Sequence, residues 1–124
     1  MEMEYNELIN DARKRIPEFD AEYRRQREED ILDADSGVHV VFAYAFVPIA
    51  VKAAESDDKN LQKEVFGFIE DMAKEKDKAV SEVCDFTVME GLRDEVSEDI
   101  LKPLLGRESL LSLSAVSGYM NAGG

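Results

Sequence analysis

An all-α fold, a small bundle of antiparallel helices, follows from three features of the sequence. Apolar residues recur at three-four spacing through most of the 124 residues. No strand-turn-strand pattern occurs, and Asn-Gly, Asp-Gly and Gly-Asn dipeptides are absent, so a two-residue hairpin has no home. The polar stretches between apolar runs are short, which favours antiparallel neighbours. The length fits one domain: N-terminal helices and a charged connector over 1–36, the main helical core over 37–120, and a tail over 121–124 expected to fray.

The first helix is expected over Met3 to Arg15, with Tyr5, Leu8, Ile9, Ala12 and Ile16 on its apolar face. Pro17 stops it and opens a second helix at its first position, where a missing N–H costs nothing. Phe19 and Tyr23 anchor that helix. The charged run from Arg24 to Asp30 reads as a solvated helix face or a mobile connector. Ile31 and Leu32 return to the core, and Asp33-Ala34-Asp35-Ser36-Gly37 supplies a turn and a helix cap.

Val38 to Ala54 is the most apolar stretch, too long for a strand and rich in alanine. An element apolar nearly all round is central and buried, and Pro48 is expected to kink or split it. Ser56-Asp57-Asp58 caps the next helix, whose stripe is Leu61, Val65, Phe68, Ile69 and Met72, with Lys63, Glu70 and Lys74 on its wet side. After the polar break Glu75-Lys76-Asp77-Lys78 comes a helix with Val80, Val83, Cys84, Thr87, Val88 and Gly91 on one side. Phe86, Met89 and Leu92 broaden its buried surface. Ser97-Glu98-Asp99 reads as a cap for a short element ended by Pro103 and Gly106. Glu108 to Met120 forms the last helix on Leu110, Leu111, Leu113, Val116 and Tyr119. The three helices between Val38 and Asp94 suggest stacked hairpins in the HEAT manner, although no fixed period accompanies them.

Charge restricts function. The chain has 28 Asp and Glu against 15 Lys and Arg, a net charge of −13. Such a surface repels nucleic acid and anionic membranes and attracts basic partners. Arg24, Arg25 and Arg27 stand beside Tyr23 but run directly into Glu28, Glu29 and Asp30, which oppose phosphate binding. The acidic N-terminus lacks the pattern of a secretory leader. The Val38–Ala54 run, interrupted by His39, Pro48 and Lys52, reads as too short to span a membrane. A cytoplasmic location is therefore expected.

The chain is poor in catalytic groups. His39 is the only imidazole and opens an apolar helix, so a structural role is expected. Cys84, the only cysteine, reads as a buried small hydrophobe with acidic neighbours that raise its pKa. Zinc needs more Cys and His than occur, and Asp33-Ala34-Asp35-Ser36-Gly37 lacks the closing acid of a calcium loop. No phosphate loop is present. No enzyme activity, metal or cofactor is expected.

The acids are unevenly placed. Asp71, Glu75 and Asp77 lie at one helix end and the link after it, and Glu90, Asp94 and Glu95 line the following helix. Antiparallel packing is expected to gather several into one partner-binding surface. The segments Val65-Phe66-Gly67-Phe68-Ile69-Glu70-Asp71-Met72, Asp77 to Val83 and Phe86-Thr87-Val88-Met89-Glu90-Gly91-Leu92 resemble a family of small bacterial immunity proteins. The Leu104-Leu105-Gly106-Arg107-Glu108-Ser109 turn is similar to that family's Leu-Gly-Pro-Glu-Thr turn, with Arg107 replacing its Pro. The resemblance covers the second half of the chain. It implies a helical antidote to a polymorphic or contact-dependent growth-inhibition toxin, binding a basic toxin domain such as a nuclease. An acidic adaptor or nucleic-acid mimic that inhibits DNA-binding proteins is the alternative.

Overall fold

The computed structural model describes residues 2–123, with side chains as far as Ser117. Seven helices and no strand occur among the described residues. A 3₁₀ turn, Tyr5–Glu7, leads into α1, Leu8–Arg15. Ile16 is extended (φ −127°, ψ 92°) before Pro17, which occupies the first turn of α2, Pro17–Glu28. Then follow α3, Val38–Glu55, and α4, Lys59–Lys74. Next is α5 over residues 78–95. The short α6, Glu98–Leu101, ends in the 3₁₀ turn Lys102–Leu104. The last is α7, Arg107–Gly123. The helix is thus continuous through most of the expected tail, and Gly124 and the Tyr119 side chain lie outside the described residues.

Four phenylalanines make the centre. Phe19 of α2, Phe42 and Phe46 of α3 and Phe68 of α4 are all fully buried. Phe42 and Phe46 stack at 4.8 Å, and Phe19 meets Phe46 edge-on at 5.6 Å. Truncating one such ring costs about 3–5 kcal/mol. The antiparallel course of α2 and α3 is marked by Gln26 bonding the Tyr44 carbonyl at one end and Glu18 pairing Lys52 at the other. α4 packs against both α3 and α5, which also touch each other. α7 returns against both α4 and α5, so it closes a bundle instead of extending a stack of hairpins.

Pro48 neither splits α3 nor ends it. Without a proline N–H, the Tyr44 carbonyl loses its helical donor. The helix widens into a π turn over Phe42–Phe46, with Val47 N–H bonding Phe42 O, and Gln26 Nε2 of α2 supplies the carbonyl's missing donor at 2.8 Å. α5 contains a second π turn, Cys84–Met89, and the two π turns pack against each other.

Some local expectations hold and others change. The Arg24–Asp30 run is helical to Glu28, and Arg25 bridges Glu22 and Glu29 on its solvated face. Asp33 and Ser36 bond each other and their own turn, leaving Gly37 at the start of α3 with no side-chain cap. Ser97 stands at the start of α6 without capping it through its hydroxyl. By contrast, Asp58 accepts from Leu61 N–H at 3.0 Å and Asp77 from Ala79 N–H at 3.0 Å, true caps of α4 and α5. By length and composition α3 is apolar enough to cross a membrane, with mean hydropathy 1.5, and 56% of it is buried inside the bundle.

Candidate interaction surface

The six acids expected to share a surface fall into two groups. Asp71, Glu75 and Asp77 lie where α4 turns into α5. There Asp71 pairs with Arg15 at 2.9 Å, Glu75 accepts the Met3 N–H at 2.9 Å, and Asp77 caps α5. All three are engaged in holding the fold. Glu90, Asp94 and Glu95 lie near the far end of α5, roughly 20–27 Å from Asp77 at 1.5 Å per residue. None of these three forms an ion pair among the described residues.

Glu90 and Asp94 belong to a surface that sequence reasoning did not anticipate. The helix expected to be buried all round has one open side. Val40, Ala43, Tyr44 and Pro48 are exposed on α3, and Val40 and Tyr44 are 43% and 54% accessible. Positions 40, 44 and 48 form one stripe at helical spacing. The stripe carries no charge until Lys52, which Glu18 neutralises at 2.8 Å. α1, α2, α4, α5 and α6 all contact α3, but among the described residues they leave this stripe open.

α5 borders this stripe. His39 Nδ1 and Thr87 Oγ1 are hydrogen-bonded at 2.7 Å, and a Cβ on Gly91 would lie 2.9 Å from Val47 Cγ1. The two helices therefore run side by side, and Gly91 permits their close approach. Phe86, expected in the core, is 52% exposed. Glu82, Glu90 and Asp94 recur around it at four-residue intervals. Each π turn thus carries one exposed aromatic, Tyr44 on α3 and Phe86 on α5. The exposed acids Asp33 and Asp35 precede the start of α3. The result is an apolar centre with an acidic border.

Glu70, expected on the wet side of α4, is a structural group. Its carboxylate accepts Glu108 N–H at 3.0 Å, Ser109 N–H at 2.8 Å and Ser109 Oγ–H at 2.7 Å, so it caps α7 from another helix. Burial acts to raise its pKa, but these hydrogen bonds prevail and hold the carboxyl below its ordinary 4.5. Asp85 of α5 likewise accepts a hydrogen bond from the Ser112 hydroxyl. These two contacts turn Ser109, Ser112, Leu113 and Val116 inward, while Leu110 and Leu111, expected on the apolar face, are exposed.

The reactive groups are occupied or enclosed. His39 is tied to Thr87, and burial pushes the fully buried Cys84 thiol up to about 12. No group of three His, Cys, Asp or Glu side chains converges among the described residues.

No curated protein and no solved structure matches this chain. Residues 9–115, spanning α1 to the first half of α7, match the family described as Domain of unknown function (DUF7674). The chain belongs to the DUF7674 family.

Proposed function

We propose that the protein binds and neutralises a cationic protein partner, as an immunity protein masks a basic toxin domain, and performs no covalent chemistry of its own. The observation that carries this reading is the outer face of α3 and α5. There an exposed uncharged stripe lies beside carboxylates that form no ion pair among the described residues. An apolar centre with a polar rim is the anatomy of a protein-protein contact. A nucleic-acid mimic would need its charge at the centre of contact, so the border position of Glu82, Glu90 and Asp94 favours a protein partner.

The test is co-expression with a toxin domain encoded at the same locus. The native chain is expected to restore growth and to copurify with that domain. Reversing Glu82, Glu90 and Asp94 to Lys is expected to slow association and remove protection. Full protection by the triple variant, or a locus without a toxin gene, would count decisively against the immunity form of the reading.

A further inference from the structure

The α3–α5 surface points to a definite partner chemistry, an inference that rests on the binding function proposed above. We infer that it receives a cationic amphipathic helix, which lays its apolar side over Val40, Tyr44, Pro48 and Phe86 and directs Lys or Arg toward Glu82, Glu90 and Asp94. Three observations select this occupant. The exposed apolar positions follow helical spacing and span about 12 Å from Val40 to Pro48, or roughly two turns of a docking helix. Gly91 against Val47 keeps α3 and α5 close, so Phe86 of α5 belongs to the helix beside the α3 stripe. The neighbouring charge is acidic, with Asp33 and Asp35 just before the start of α3 and Glu82, Glu90 and Asp94 on α5 beside it. That charge repels a second copy of this chain and an anionic membrane, and it complements basic side chains.

The test uses the full chain with two synthetic probes of about 18 residues, long enough for five helical turns. One is a Lys/Leu peptide with an apolar face, and the other is a Lys/Gln peptide of equal charge without one. Calorimetry is expected to show the amphipathic peptide binding at least about tenfold more tightly. Amide shift changes on titration are expected to centre on Val40, Tyr44 and Phe86. The double variant Tyr44→Ala/Phe86→Ala should bring the two peptides to equal affinity without changing the Lys/Gln peptide's binding. Because both side chains are half exposed, the variant should fold, and circular dichroism checks this.

Equal affinities for the two peptides on the native chain, or shift changes centred elsewhere, would overturn the helix-docking inference while leaving cationic binding intact. Binding of neither peptide would remove both this inference and the reading beneath it. Phosphatidylcholine vesicles provide a third arm. Vesicle binding that disappears in the double variant would assign the stripe to a lipid surface instead.

Discussion

Gln26 and Glu70 each complete a helix other than their own. Gln26 is buried on α2, and its amide donates to Glu22 at 2.6 Å and to the Tyr44 carbonyl at 2.8 Å. Gln26→Met keeps the volume and removes the donor. Leaving a buried carbonyl unpaired costs about 1–3 kcal/mol, so denaturant melts should show a loss in that range. Glu70 imposes a pH signature. Its folded pKa lies below the unfolded value, so its stabilisation is full above the unfolded 4.5 and is lost as pH falls through the folded pKa. Glu70→Gln should therefore lower Tm at neutral pH, and the gap from the native chain should close in acid; a gap independent of pH would refute the capping role. Asp30 occupies the left-handed region at φ 57° and closes α2, with Ile31 N–H bonding Gln26 O at 2.9 Å. Glycine reaches that conformation without a Cβ penalty, so Asp30→Gly should stabilise by about 0.5–1 kcal/mol in the same melts. The role of Asp58 could be read locally, because an acid three residues before the N–H it caps is adjacent in the chain. The roles of Glu70 and Gln26 could not, since their partners lie 38 or 39 and 18 residues away.

At the scale of elements, α3 and α7 depart most from their periodicity. In α3 the proline was visible, but its consequence depended on a donor from α2. With Gln26 in place, a π turn absorbs the missing bond and the helix continues to Glu55. Apolar composition on every side implied complete burial, yet the helices that contact α3 leave the side with Val40, Tyr44 and Pro48 uncovered. In α7 the leucines at 110 and 111 suggested the inward face. Two serines face inward instead, because carboxylates on α4 and α5 stand opposite them. Gly91 reports the α3–α5 crossing. Adding a methyl there forces Val47 or a helix to move, and overpacking of this kind costs about 1–3 kcal/mol. Gly91→Ala should lower the midpoint of urea unfolding accordingly, whereas Gly67→Ala, with open space around it, should not.

For the whole molecule, the net charge of −13 sets opposite salt dependences for folding and binding. Salt screens repulsion among the carboxylates, so Tm should rise from low to moderate ionic strength. The same screening should weaken capture of a cationic partner, and calorimetry at two salt concentrations measures both effects on one sample. Loss of Tm on adding salt would show that ion pairs such as Arg13–Asp20 and Arg15–Asp71 outweigh the general repulsion. The sequence by itself determined the all-α class, the helix boundaries at Pro17 and Asp58, the burial of Cys84 and the acidic character, because each follows from neighbours along the chain. Only the tertiary structure decided which acids hold the fold, which serines turn inward and where aromatic surface stays open. Those outcomes depend on which helices stand opposite one another, and that choice is made by packing across the bundle.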